Sequence, residues 1–252
     1  MNIIATNSFF EVSTQNDVAI LNIRDKVFDF ITNVDLSDQL LDFLDSIDHD
    51  PKIKALLFYN EIESLGDEQY DEFINRILKQ KDNLETNEPP CFTERNLRFR
   101  EINILNRIIR KIAGLQKLVI SGIQGTVVTP FVGAAMVADF RYATEGAVFS
   151  MAHNRYGLHP SGGLPFFLTR FMNHSKAMEV QLSDKILVEE ALELGLLNKI
   201  LDADKFLDNM LEEIKKYTRI QYCTIRDTKR LTSFSRKALN GYFEFEAGLL
   251  NL

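Results

Sequence analysis

KLVISGIQGTVVTPFVGAAMVADFRYATEGAVFSMAHNRYGLHPSGGLPFFLTRFMNHSKAMEVQLSDKILVEEALELGLLNKIL, residues 117–201, is the stretch whose reading decides the fold. Leu118–Ile123 is a short apolar run, predicted to be a buried strand, and it closes on Gln124-Gly125. Val127–Val137 is the most apolar region. It contains Pro130 and Gly133 and runs out at Asp139, well short of the ~18 apolar residues of a membrane span, so it reads as a buried loop and helix. Ala138–Ala143 and Ala147–Met151 are predicted as two more strands, separated by Glu145-Gly146. From Pro160 onward the pattern is helical: Leu164–Met172, Ser175–Leu182, then Val188–Leu194 with Gly195 as its stop.

On the N-terminal side, Phe9–Ser13 and Val18–Ile23 flank Gln15-Asn16-Asp17 and predict a hairpin. Asp35–Ile47 has helical spacing and ends at Asp50-Pro51. Ile53–Tyr59 (IKALLFY) reads as a buried strand. Gly66 opens an acidic helical pattern that passes into the polar stretch KQKDNLETNEPP (79–90), expected to be a mobile loop. Helical periodicity returns over Arg95–Ile112 through Phe99, Ile102, Leu105, Ile109 and Ile112. Beyond residue 201, Lys205–Tyr217, Ile220–Leu231 and Phe234–Leu249 are predicted helices. Strands alternating with helices, followed by a run of helices, give an α/β core with a helical C-terminal subdomain. The organisation is one domain: a core over residues 1–195 and a C-terminal helical trimerisation or lid region over residues 196–252.

The chain has 252 residues, 45% of them hydrophobic and 26% charged, which is ample for a sizeable core. A net charge of −7 argues against nucleic acid and against a membrane surface, because both need a dense basic face. Two cysteines, Cys91 and Cys223, form no metal spacing and no disulfide framework. The N-terminus lacks the basic start and apolar run of a signal peptide, and the expected location is cytoplasmic. The four histidines, His49, His153, His159 and His174, form no metal-binding spacing, so no metal is expected.

Residues 117–201 resemble the crotonase (enoyl-CoA hydratase/isomerase) family in order and spacing. The matching pieces are Gln124-Gly125, Ala138–Ala143, Glu145–Phe149, the turn Gly157-Leu158-x-Pro160, Gly162-Gly163, Leu168-x-Arg170, Ala177-Met178-Glu179 and Gly195-Leu196. The resemblance implies a crotonase/ClpP-like spiral of ββα turns and a homotrimer or dimer of trimers. It also implies an acyl-CoA or acyl-carrier thioester as substrate or ligand, with no permanently bound cofactor. Such enzymes stabilise an enolate with two backbone N–H groups, each typically worth about 3–4 kcal/mol. One donor position falls on Gly66 in Ser64-Leu65-Gly66-Asp67. The other falls on Pro130, which has no amide hydrogen, beside Phe131. The two catalytic carboxylates expected for hydration fall on Gly133 and on His153 of the pair Ala152-His153. His153 is the remaining candidate acid/base, and His159 is expected to face the same pocket. Arg24 and Lys26, and further on Lys229-Arg230, are the basic residues that could meet the phosphates of coenzyme A. Asp139 is read as structural, and His49 and His174 as surface residues at helix ends.

The implied function is thioester chemistry of an isomerase or decarboxylase kind rather than true hydration. The alternative is a catalytically inactive homologue that binds a thioester or a protein; a pocket filled by Phe131, Met151 or Tyr156 would favour it. The Clp-type serine proteases share the fold and need Ser, His and Asp in mutual reach. Ser121 or Ser150 with His153 is the best such set here, yet neither serine stands at a turn that exposes a nucleophile.

Overall fold

The computed structural model describes residues 2–78 and 90–249, so most of the polar stretch expected to be a loop lies outside the described residues. The chain opens with β1 (Asn2–Thr6), β2 (Phe10–Gln15) and β3 (Val18–Ile23), then a short α1 (Val27–Phe30), α2 (Val34–His49) and β4 (Ala55–Asn60). The central part is α3 (Asp67–Ile77), α4 (Arg95–Gly114), β5 (Leu118–Ile123), β6 (Thr126–Val128), α5 (Thr129–Ala135), β7 (Phe140–Thr144) and β8 (Val148–Ser150). A 3-10 turn over Ala152–Tyr156 leads to α6 (Leu164–Phe171), α7 (His174–Leu182), β9 (Lys185–Leu187), α8 (Val188–Glu193) and β10 (Lys199–Leu201). The tail is α9 (Phe206–Thr218), α10 (Tyr222–Thr232), a 3-10 turn over Ser233–Ala238 and α11 (Leu239–Gly248).

The hairpin is present: β2 and β3 pair antiparallel with Gln15 opposite Val18. Asn16 turns the corner with a left-handed φ of 55°, a conformation that asparagine tolerates better than most residues. From β3 the main sheet continues in parallel, in the order β1-β2-β3-β4-β5-β7-β10. Parallel strands are normally buried on both faces, which explains their nearly continuous apolar character. Ala19, Leu21, Leu56, Phe58 and Val119 face a core shared with α2 and α4. Their neighbours Val18, Ile20, Ala55, Leu57, Leu118 and Ile120 face a second core closed by Phe206, Met210 and Ile214 of α9 and Ile225 of α10. A second, smaller sheet has the order β6-β8-β9. β10 lies past residue 195 yet pairs with β7, so the sheet draws on the C-terminal region as well.

Asp139 ties these layers together. Its Oδ2 accepts from the Val119 amide (2.8 Å) and from Lys229 Nζ (2.8 Å), while its own N–H donates to the Val119 carbonyl. Lys229 is buried and also donates to the Lys117 carbonyl, so it serves the fold and not a solvent-borne phosphate. One expectation for α4 is corrected. Phe99 was placed on the buried stripe, but it is 55% exposed and Arg98 occupies that face instead.

Asp139→Ala strands the buried Lys229 ammonium without its counter-charge, and breaking a buried pair in this way costs about 3–5 kcal/mol. Urea unfolding should show a loss near the lower figure, because Asp139 is itself partly exposed. Adding Lys229→Met should recover part of it.

Candidate active site

The loop after β4 and the turn after β5 meet at the C-terminal ends of adjacent parallel strands, where α/β sheets commonly hold their ligands. Asn60 joins them: its Nδ2 donates to the Gln124 carbonyl (2.8 Å) and its Oδ1 accepts from the Gln124 amide (3.1 Å). The Leu65 carbonyl accepts from the Val128 amide at 2.9 Å, fixing the loop against β6 and the start of α5. Ser64 Oγ donates to the Glu61 carbonyl. Gly66 is buried and caps α3 in an extended conformation, and its N–H donates to the Glu63 carbonyl at 3.2 Å. Glu63 is left-handed (φ 63°), and its carboxylate lies 2.9 Å from where a Cβ would project at both Gly66 and Gly125.

Asp67 accepts from Ser150 Oγ (2.7 Å) and from Arg155 (3.0 Å). Arg155 also pairs with Asp71 at 2.6 Å, and Tyr156 donates to the same carboxylate. These contacts pin α3 to β8 and to the 3-10 turn. They also commit Ser150 to Asp67, and Ser121 is buried within β5. Phe131 packs edge-on against Phe28 with centroids 5.3 Å apart, and Phe28 stacks on Phe73. Met151 is buried in the same core, and Tyr156 packs against it. Among the basic residues, Arg24 is committed to Glu11 at 2.5 Å and to Thr6, whereas Lys26 is exposed.

Helix α5 begins at Thr129 with Pro130 in its first turn, a position where the missing N–H costs the helix nothing. Gly133 lies against the turn that precedes α6. A Cβ there would overlap the Gly162 carbonyl oxygen and stand 2.8 Å from the Leu164 nitrogen. Gly162, left-handed at φ 68°, lies equally close to the Pro130 carbonyl. No side chain fits between these two backbones.

His153 is 2% exposed, and its Nδ1 lies 2.6 Å from Thr129 Oγ1. The Thr129 hydroxyl also contacts the Ser150 carbonyl at 3.2 Å. The hydroxyl has one proton, which can serve either contact. Nε2 is buried and without a hydrogen-bond partner among the described residues. Burial lowers the His153 pKa to about 4; neighbouring His159 pushes the same way and the Gln181 carbonyl opposes. His159 is half-buried with its own Nε2 unpartnered, and burial lowers its pKa too. His49 and His174 are exposed at the ends of α2 and α7. Among the described residues no cluster of three or more potential metal ligands occurs, and no helix is long and apolar enough to cross a membrane.

Residues 101–251 match the family of the enoyl-CoA hydratase/isomerases. The chain belongs to that family. It is 28% identical over 135 residues to an Arabidopsis thaliana protein named "Probable enoyl-CoA hydratase 1, peroxisomal", covering 53% of this chain and 48% of the relative. It is 27% identical over 151 residues to the trans-2-decenoyl-[acyl-carrier-protein] isomerase of Streptococcus mutans, covering 58% and 56% of the two chains. The chain thus spans about half the length of the curated relatives it matches. The fold is similar along nearly the whole chain to a solved enoyl-CoA hydratase from Bacillus halodurans, with TM-score 0.73, 19% identity, and 96% and 94% of the two chains covered.

Sequence reasoning missed the Thr129–His153 contact and the buried pair of Arg98 with Glu101. It also missed Glu246. This α11 carboxyl, which burial raises to about 7, accepts from Asn106, Tyr242 and the Gly163 amide. The only local signal was charge falling on the apolar stripe of α4.

Two tests follow from this packing. Gly133→Ala should destabilise the protein by roughly 3 kcal/mol, the upper range for overpacking, read as a lowered urea midpoint; a midpoint equal to wild type would mean the contact with Gly162 is slack. For His153 the folded pKa lies below the unfolded value of 6.5, so between pH 6.5 and about 4 the unfolded state binds the extra proton. Stability should therefore fall as pH is lowered through that window, by roughly 3 kcal/mol in all. Glu246 has the opposite slope over part of it, so the readout is the difference between wild type and His153→Gln at pH 7 and pH 5.

Proposed function

We propose that this chain binds an enoyl thioester, carried on coenzyme A or an acyl carrier, and shifts its double bond with His153 as a single base, without adding water. The carrying observation is the imidazole itself: held by Thr129, neutral at pH 7, with Nε2 unpartnered among the described residues, at the position where the family resemblance places a carboxylate. Hydration needs an acid and a base acting together, and the second position, Gly133, has no room for one. A proton shift needs one group. In the tautomer with its proton on Nδ1, Nε2 takes a proton from C2 of a 3-enoyl thioester, the C–H pair forms the C1=C2 bond as the carbonyl electrons move onto the thioester oxygen, and as the carbonyl re-forms the C1=C2 pair shifts to C2=C3 while the C3=C4 pair takes the proton back from Nε2–H at C4. One proton moves and none is gained or lost. The Gly66 N–H would meet the oxygen by releasing the Glu63 carbonyl, a long and therefore weak contact. The Streptococcus mutans relative, named for isomerisation of an acyl-carrier thioester, supports this reading over a hydratase or a decarboxylase. Lys26 is the exposed cation offered to the nucleotide phosphates, and a cytoplasmic homotrimer or hexamer is the assembly that goes with the reading.

A second reading is favoured by a specific observation. Pro130 supplies no donor, the Gly66 N–H is engaged, and Phe131 packs into the aromatic cluster. A protein of this kind would bind a thioester or a partner without turning anything over.

Incubation of 3-enoyl thioesters, on coenzyme A and on acyl carrier protein, in deuterated buffer separates the readings. The first expects 2-enoyl product whose C4 carries the hydrogen moved from C2 rather than solvent deuterium, a rate that falls only as pH drops toward about 4, and loss of turnover in His153→Gln. Binding heat without product or exchange establishes the second reading. Neither heat nor product overturns both.

A further inference from the structure

Glu63 meets the loop donor Gly66 twice. Its carbonyl accepts the Gly66 N–H at 3.2 Å, so the donor is occupied. Its side chain turns into the notch between the loop after β4 and the turn after β5. Oε2 stands 2.9 Å from where a Cβ would project on Gly66, and Oε1 stands 2.9 Å from the corresponding point on Gly125. Each carboxylate oxygen rests against one glycine, and a side chain at either position would displace it. The Glu63 carbonyl oxygen lies 3.2 Å from the same point on Gly66. An enolate oxygen brought to this amide would meet two acceptor oxygens and, in the carboxylate, a like charge.

The closed arrangement depends on an uncommon backbone. Glu63 is left-handed at φ 63°, a region that glutamate enters rarely and at a cost. The turn around it is fixed by Ser64, whose amide and hydroxyl both donate to the Glu61 carbonyl, at 3.2 and 2.8 Å. Rotation of Glu63 into the extended region relieves the strain, takes the carbonyl off the Gly66 N–H and carries the carboxylate out of the notch in one movement. The hydrogen bond given up is long and therefore weak, and Glu63 is exposed, so its side chain can leave into solvent.

We propose that Glu63 is an autoinhibitory gate on the Gly66 donor: its carbonyl and carboxylate hold the site closed, and a thioester binds once the residue turns out. The inference rests on the thioester-binding reading above and adds to it a control over when the ligand is admitted.

The test is calorimetry with octanoyl-coenzyme A, a saturated thioester with no double bond to shift, and with free coenzyme A, on wild type, Glu63→Ala and Glu63→Gly. Apparent affinity scales with the fraction of molecules that are open, so Glu63→Ala, which empties the notch, should bind the thioester roughly tenfold tighter than wild type. Free coenzyme A carries the same phosphates without the acyl carbonyl, and its affinity should change far less. An equal gain for both ligands would mean that the variant only removed a repelling charge, and it would overturn the gate. Glycine also empties the notch but favours the left-handed turn that engages the Gly66 N–H. Glu63→Gly should therefore bind the thioester roughly fivefold more weakly than Glu63→Ala. Equal thioester affinity in wild type and Glu63→Ala would overturn the gate while leaving thioester binding intact. No binding of octanoyl-coenzyme A by wild type or either variant would instead sink the underlying reading and the gate with it.

Discussion

A sheet whose central strands are apolar on both faces has to be covered twice, and the rest of this molecule is arranged around that requirement. Helices α2 and α4 close one face. The other is closed by α9 and α10, which arrive last in the chain. Met210 of α9 comes so near β5 that Gly122 has no space for a side chain. Lys229 of α10 reaches Asp139 at the entry to β7. The C-terminal helices are therefore part of the sheet's burial, and β10 adds a strand from the same region.

The site inherits its position from this framework and its character from a few residues. β4 and β5 end side by side, and Asn60 and Leu65 hold the following segments in register. Pro130 opens α5 without an amide hydrogen, Gly133 leaves no room for a side chain, and His153 is buried against Thr129. A buried neutral imidazole needs neither the solvation nor the partner that a buried charge would.

The hairpin, the buried strands and most helices were legible because their periodicities are local. Strands β6, β9 and β10 were not, since three residues carry too little pattern to distinguish a strand from a loop; β1, at the chain's start, was also unread. In α4 the stripe through Ile102, Leu105, Ile109 and Ile112 is buried as its spacing predicts, and only its first member differs. Phe99 has the right hydrophobicity and the wrong angle, and Arg98 at the adjacent position takes the buried face. Propensity favours the phenylalanine inside, and only the partner Glu101, one turn on, makes the alternative tolerable. The positions of Pro130, Gly133 and His153 could be counted from Gln124-Gly125. What they touch could not: Thr129 and His153 are 24 residues apart, and Asn106 and Glu246 are 140 apart. Such contacts belong to topology and leave no mark in a local window.

The close approach of α5 to the Gly162 turn has an evolutionary side. The backbone of another segment fills the space a side chain at residue 133 would need, and Gly162 in turn has no room to change because of Pro130. An acid at residue 133 demands that the second segment retreat first. The contact works as a latch on sequence change: while the helix and the turn stay closed on each other, neither position can leave glycine without the other segment giving way.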